Sequence, residues 1–130
     1  MSNELVIKKD ELVTVIENQG LTEVIKPLVN EIYLFDTYIA GTSYIQDKNI
    51  FNEIQKNQQL VLKREDNAYD DKAIIVSTIE GNKLGYIPER DNIIFSRLMD
   101  GGKLLTAKVI SHEETRGYHK IQIGIYLVDF

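Results

Sequence analysis

The chain has 130 residues, with 15 lysines and arginines against 20 aspartates and glutamates, a net charge of −5 and no cysteine. This length is enough for one domain with its own core, and the missing cysteines exclude disulfides, thiolate zinc sites and a cysteine nucleophile. The acidic balance excludes a broadly basic surface of the kind that binds DNA non-specifically, so any nucleic-acid site must be local.

Residues 1–31 are predicted to form a helical N-terminal extension. Apolar side chains recur at helical spacing in residues 10–18 and 22–30, although Pro27 weakens the second segment. The extension packs on the rest of the chain in one interpretation and mediates a homodimer in the other. It lacks a signal-peptide pattern, and no apolar run approaches the roughly 18 residues that cross a bilayer. We therefore expect no membrane association and a cytoplasmic location.

From residue 32 onward the pattern is mostly that of short strands. Aliphatic, β-branched and aromatic residues predict strands at residues 32–40, 60–62, 73–79, 83–87, 104–111 and 119–128. Gly81 marks a hairpin turn, and Arg116-Gly117 marks a polar bend between the last two strands. In the last strand, Ile121, Ile123 and Ile125 recur at every second position and are expected to share one face.

Two short helices are expected between the strands. Asp47 can cap the first. Pro88 can begin the second, which Gly101 would end, with Ile94 and Leu98 facing inward. Six strands and two helices predict a mainly β (α+β) fold, a small six-stranded barrel with a helical extension.

The most informative stretch is the loop that joins the strands at residues 60–62 and 73–79. It is longer than the two to five residues of an ordinary hairpin loop, and it places Asn67 and Tyr69 beside several carboxylates. Binding chemistry is concentrated in loops that a rigid scaffold supports, so this loop is the first candidate site.

Three motifs resemble the HIRAN domain family in their order and spacing. They are Phe35-Asp-Thr-Tyr-Ile-Ala-Gly-Thr-Ser-Tyr44, the Arg-Glu…Asn-x-Tyr-Asp…Ala-Ile core of residues 60–76, and Leu84-Gly-Tyr-Ile-Pro-Glu-Arg90. The resemblance covers about residues 32–128. It implies an OB-like or SH3-like β-barrel over residues 32–130, of the type that also stands alone in bacteria.

The resemblance also implies a function. In that family the domain is fused to helicases of the Swi/Snf type, where it captures a single-stranded DNA 3′ end, and in bacteria it stands alone or beside nuclease and helicase modules. The implied role is a non-catalytic module that recognises 3′-hydroxyl ends in repair, replication or restriction. It would need no cofactor and no metal, and a helicase or nuclease is the implied protein partner.

The family's ligand contacts can be carried over by position. Tyr44 and Tyr69 match the aromatic residues that stack on terminal bases, Asp70 matches the carboxylate that accepts from the 3′-hydroxyl, and Asn67 matches an amide at the strand end. Structural roles remain open beside these: Asp70 could close its own loop, and Tyr69 could be a half-buried barrel residue. Tyr86 is expected in the core more than at the ligand.

Several positions depart from the family pattern. Ser43 stands where the family member that binds DNA best has arginine. Asp66 stands before Asn67, where that member has a second asparagine. Pro88-Glu89 replaces a basic residue, which leaves Arg90 as the nearest cation there. Lys63 and Arg64 are expected to form a solvated strand end, from which one of them could reach a phosphate. Because each change removes phosphate neutralisation, we expect weaker DNA binding and a flatter salt dependence than in that member.

Two other functions are compatible with parts of the sequence. A protein-interaction adaptor would use the same groove or the acidic extension to dock a DNA-processing enzyme. A cryptic nuclease would use Asp70-Asp71-Lys72, but neighbouring strand residues point in opposite directions and do not converge on a metal. His112 and His119 could approach each other across the final bend, but they lack a third clear ligand.

Overall fold

The computed structural model describes residues 30–129, which contain six strands. The strands are β1 (Asn30–Tyr38), β2 (Gln59–Arg64), β3 (Ile74–Thr78), β4 (Lys83–Tyr86), β5 (Leu104–Thr115) and β6 (Tyr118–Asp129). Two 3₁₀ helices, Thr42–Tyr44 and Lys48–Glu53, follow β1, and one α-helix, α1 (Glu89–Asp100), follows β4. The predicted mainly β fold with six strands is confirmed. No helix within residues 30–129 is long and apolar enough to cross a membrane.

The predicted helical extension lies outside the described residues, apart from its end. Asn30 was expected to finish a helix, and the structure instead places it at the start of β1. Residues 32–128 form one compact unit. The strand therefore begins two residues before the predicted domain boundary.

The six strands form one sheet that curls into a half-barrel. Their order is β1-β6-β5-β2-β3-β4, and the pairs β2–β3, β2–β5, β3–β4 and β5–β6 are antiparallel. Beyond the end of β1, the Ala40 amide donates to the Tyr86 carbonyl at 2.7 Å, and the Tyr86 amide donates back at 2.9 Å. This bridge joins the chain after β1 to the end of β4, the strand at the opposite edge of the sheet.

The inner face of the curled sheet forms the core. Ile121, Ile123 and Ile125 are completely buried, as their alternation predicted. The second 3₁₀ helix adds Phe51 to this core, and Asp47 caps the helix by accepting from the Asn49 amide at 3.1 Å. Burying each large apolar side chain contributes about 1.5–3 kcal/mol, so the core is the main source of stability.

The buried face of α1 differs from the prediction. Ile94 was expected to face inward, but it is 67% exposed, whereas Asn92, Phe95 and Ser96 are buried. Positions three and four residues apart share one face of a helix, and this set places Ile94 on the other side. The prediction was wrong for Ile94 because it followed apolar residues alone, and this inward face contains two polar ones. Leu98, the other residue expected to face inward, is partly buried and packs against the core. Gly101 ends the helix as expected.

Three strands run further than their apolar content indicated. β2 continues to Arg64. β5 and β6 continue to a two-residue turn, where Arg116 and Gly117 both have positive φ, the conformation that suits a tight hairpin. The expected polar bend is therefore a short turn. The longer pairing brings His112 Nε2 and His119 Nδ1 to 2.9 Å.

The closing bridge yields a prediction about Gly85. A Cβ at this residue would lie 2.3 Å from the Ala40 carbonyl oxygen and 2.7 Å from Ile39 Cγ2. We expect Gly85→Ala to lower the free energy of unfolding, measured by urea denaturation, by about 1–3 kcal/mol more than Gly81→Ala, because crowding forces the backbone apart. Gly81 is a matched control, since its φ is also positive but no atom lies within 4 Å of the added Cβ. Equal losses would contradict the steric explanation.

Candidate functional site

A groove of about 570 Å³ lies between the first 3₁₀ helix, the loop of residues 65–73 and the start of α1. Among the residues that line it are Tyr44, Asn67, Tyr69, Asp70, Tyr86 and Glu89. The fold therefore brings together four residues that the sequence singled out, from two motifs that are distant along the chain. The other three, Ser43, Arg64 and Arg90, do not line this groove.

The two predicted stacking residues present their rings to solvent. Tyr44 is 87% exposed and Tyr69 is 99% exposed, so Tyr69 is not the half-buried barrel residue that the sequence left open. Tyr44 sits on a short helix that is well anchored, since Thr42 Oγ1 donates to the His119 carbonyl at 2.9 Å. An exposed aromatic ring on a fixed backbone is suited to stacking on a planar ligand.

Lys48 also anchors the turn that carries Tyr44. Its ammonium group donates to the carbonyls of Thr42 at 3.1 Å, Ser43 at 2.7 Å and Ile45. These bonds use the three hydrogens of the ammonium group. Ser43 itself is exposed and contributes its backbone carbonyl to this anchor. Lys48 thus positions the turn, a role for which the sequence carried no signal.

Asn67 organises the loop through its side-chain amide. Its Oδ1 accepts from the amides of Tyr69 at 2.9 Å and Asp70 at 2.7 Å. Its Nδ2 donates to Glu65 Oε1 at 2.8 Å. An amide side chain has the acceptor oxygen and the donor nitrogen that these three bonds need. Asn67 therefore sets the positions of the two residues that follow it in the groove.

Asp70 is held from two sides. Its Oδ1 accepts from the Lys72 amide at 2.9 Å, which is the loop-closing contact considered from the sequence. Its Oδ2 accepts from Asn92 Nδ2 of α1 at 2.8 Å. A carboxylate has about four acceptor sites, so these bonds leave capacity on both oxygens for a donor in the groove.

Glu65 lies at the end of a hydrogen-bond chain beneath the groove. Lys83 Nζ donates to the Tyr86 hydroxyl at 2.6 Å, and that hydroxyl donates to Glu65 Oε1 at 2.7 Å. The hydrogen bonds from Asn67 and Tyr86, aided by the charge of Lys83, lower the pKa of Glu65. Tyr86 is half-buried and lines the groove, so it is not simply the core residue that the sequence favoured.

Arg64 joins the loop to α1. Its guanidinium pairs with Asp100 at 2.9 and 3.2 Å, and it donates to the carbonyls of Ala73 at 2.7 Å, Asp71 at 2.8 Å and Glu65 at 3.5 Å. The pairing raises the pKa of Arg64 and lowers the pKa of Asp100. These contacts engage all five N–H donors of the side chain. Arg64 thus stabilises the loop through internal hydrogen bonds, whereas the sequence suggested a phosphate contact.

Arg90 faces a different surface. Its Nε lies 3.5 Å from Asp91 Oδ2. Arg90 lines a separate, mostly apolar groove with Leu34 and Phe35. Of the residues that the structure describes, no lysine or arginine lines the groove that contains Tyr44 and Tyr69, whereas Asp70 and Glu89 do. Its lining therefore suits an uncharged or cationic group better than a phosphate.

The acid–lysine triplet of the loop does not converge. Asp70 is directed toward Asn92, while the Asp71 side chain is 79% exposed and pairs with Lys72 at 3.1 Å. Within residues 30–129, no three histidine, cysteine, aspartate or glutamate side chains are grouped so that they could hold a metal ion. His119 instead stacks on Phe51 with ring centres 4.5 Å apart.

Comparisons with known proteins place the chain in context. The family model of the HIRAN domain matches residues 32–128. A crystal structure of a protein from Lactobacillus plantarum, a structural-genomics target, is similar with a TM-score of 0.73 and 26% identity, covering 78% of this chain and 99% of that one. The crystal structure of the HIRAN domain of human HLTF is similar with a TM-score of 0.61 and 17% identity, covering 77% and 78%. A search of curated protein sequences found no match.

The lowered pKa of Glu65 predicts how the loop responds to acid. A lowered pKa means that the carboxylate stabilises the fold fully at neutral pH, and that this contribution is lost as the pH falls below 4.5, the ordinary value, and through the lowered pKa. We expect Glu65→Gln to destabilise the protein at pH 7, by about 0.5–1.5 kcal/mol, and to lose less stability than the wild type on acidification.

The measurement is urea denaturation at several pH values between 7 and about 3. Glu80→Gln, in the exposed β3–β4 turn, is the control and should follow the wild-type curve. An acid-induced loss of stability in Glu65→Gln as large as in the wild type would show that Glu65 does not contribute to it.

Proposed function

The chain belongs to the HIRAN domain family, and from its groove we propose that it is a non-catalytic module that recognises a 3′-hydroxyl end of single-stranded DNA. The observation that carries the proposal is the convergence of Tyr44, Tyr69 and Asp70 on one groove. Two exposed rings beside one anchored carboxylate can bind a planar base and read a hydroxyl group.

Stacking is the expected main source of affinity. The rings of Tyr44 and Tyr69 are almost fully exposed, and both residues line the groove. Stacking of a base on an aromatic side chain contributes about 1–3 kcal/mol and does not depend on sequence, because every base has a π-face. The module would therefore accept any terminal base.

Asp70 is the expected reader of the strand end. Its oxygens are anchored by Lys72 and Asn92 and still have acceptor capacity toward the groove. A carboxylate accepts a hydrogen bond from a hydroxyl, and hydrogen bonds to charged groups are worth about 1.5–3 kcal/mol. A terminal phosphate in the same place would be repelled by Asp70 and by Glu89, which also lines the groove.

This proposal predicts different effects for two variants. Asp70→Asn should reduce the preference for a 3′-hydroxyl over a 3′-phosphate oligonucleotide, because it removes the charge that separates the two ends. Tyr69→Ala should lower the affinity for both oligonucleotides by roughly 5- to 100-fold, because one stacking contact is lost. It should leave the preference for the 3′-hydroxyl end unchanged. Fluorescence anisotropy with labelled oligonucleotides at low salt measures both.

Tyr118→Ala is the matched control, because Tyr118 is an exposed tyrosine beside the β5–β6 turn. It should bind like the wild type. Equal wild-type affinity for the two oligonucleotide ends would overturn the proposal that the groove reads a hydroxyl.

The lining of the groove also predicts a weak salt dependence. The logarithm of the affinity for single strands falls with the logarithm of salt concentration by about 0.7 for each phosphate neutralised. Because Arg64 and Lys48 are engaged in internal bonds, we expect a slope between zero and about one. A slope above about two in an anisotropy titration would show several phosphate contacts and would contradict the arrangement proposed.

A protein-interaction adaptor is the second candidate. It is supported by the two carboxylates and the absence of a lining cation among the described residues, which also suit a basic segment of a protein. This candidate predicts no measurable oligonucleotide binding at low salt and a co-purifying helicase or nuclease. Either function would be exerted in the cytoplasm beside DNA-processing enzymes, and a homodimer through residues 1–31 stays a prediction.

A further inference from the structure

Asn92 is a polar residue in an apolar position. It lies on the inward face of α1, is 2% exposed, and shares that face with Phe95. Burying an amide is costly unless it forms hydrogen bonds. Its Nδ2 donates to Asp70 Oδ2 at 2.8 Å, across 22 residues of sequence. Neither the sequence motifs nor the stacking residues of the groove account for this contact.

We propose that Asn92 is a positioning residue that fixes the orientation of the Asp70 carboxylate and thereby sets the selectivity of the groove for a hydroxyl end. The inference rests on the proposed function. Because a carboxylate only accepts hydrogen bonds, Asn92 must direct its amide nitrogen toward Asp70. It therefore acts through Asp70 and does not itself line the groove.

Both hydrogen bonds to Asp70 are needed to fix the orientation of its carboxylate. The terminal torsion of an aspartate is broad and allows the carboxylate plane to rotate. The Lys72 amide holds one oxygen at 2.9 Å, and Asn92 holds the other at 2.8 Å. With one anchor the plane can turn about the remaining bond, whereas with two it is fixed, so the remaining acceptor sites point in constant directions.

Asn92 is itself held firmly. Its backbone N–H donates to the Pro88 carbonyl at 3.0 Å in the first turn of α1. The carboxylate of the preceding residue, Asp91, accepts from Thr37 Oγ1 of β1 at 2.6 Å. The start of the helix is therefore attached to the sheet, and Pro88 and Glu89 line the groove. A donor mounted on this rigid element can hold Asp70 in place better than a residue of the loop.

The experiment measures the ratio of affinities for 3′-hydroxyl and 3′-phosphate oligonucleotides in the full chain. We expect a wild-type ratio of roughly tenfold or more, and a fall toward the ratio of Asp70→Asn in Asn92→Ala. Binding of the 3′-phosphate oligonucleotide should stay within about twofold of the wild type, because the stacking residues are untouched. In the double variant of Asp70→Asn and Asn92→Ala, the ratio should not fall further than in Asp70→Asn alone.

Ser96→Ala is the matched control. Ser96 is buried on the same helix face, but its hydroxyl donates to the Ile93 carbonyl within the helix, and no residue of the groove is its partner among residues 30–129. If Asn92 had a merely structural role, Asn92→Ala and Ser96→Ala would both lower stability and leave the ratio unchanged. Should Asn92→Ala fail to fold by circular dichroism, Asn92→Leu decides the question, because leucine has a similar shape and no hydrogen-bond donor.

The outcomes distinguish the proposed function from the positioning role of Asn92. A wild-type ratio near one overturns the proposed function. A clear wild-type ratio that persists in folded Asn92→Ala or Asn92→Leu overturns the positioning role of Asn92 and leaves the proposed function intact. A ratio that falls in the Asn92 variants but not in Ser96→Ala supports the positioning role.

Discussion

The pairing of Ala40 with Tyr86 is the contact on which both the fold and the groove depend. It joins the chain after β1 to the strand at the far edge of the sheet. The first 3₁₀ helix begins two residues after Ala40, so the same contact places Tyr44 beside Tyr86 and the start of α1. The close approach requires Gly85, since any Cβ there would strike the Ala40 carbonyl. The groove is thus a consequence of how the sheet closes.

The charged loop of residues 65–73 is ordered by internal bonds although its composition is that of a solvated turn. Arg64 binds carbonyls at both ends of the loop and pairs with Asp100 at the end of α1. Asn67 fixes the backbone of the two residues after it. Satisfied polar networks of this kind rigidify the groups they connect, and here they hold Tyr69 and Asp70 on a defined frame.

The same bonds determine the electrostatic character of the site. Arg64 and Lys48, which a phosphate could otherwise use, donate their hydrogens to carbonyls and to Asp100, and Arg90 lies at another groove. The affinity of this chain for DNA is not determined by its membership of the HIRAN family or by its similarity in fold to the human HLTF domain. Under the proposed function, binding to DNA would depend on base stacking and a hydroxyl contact more than on phosphate neutralisation.

Local patterns in the sequence were sufficient for the six strands and the core isoleucines of β6, because alternation and turn chemistry depend on neighbours along the chain. Tyr44, Tyr69 and Asp70 were singled out by the resemblance to the HIRAN family. The local patterns did not indicate that Ile94 is exposed, that Arg64 braces the loop, or that Asn92 reaches Asp70. Those contacts depend on which elements the curled sheet brings together. A long or polar side chain binds whatever partner lies within reach, and only the tertiary structure decides which partner that is.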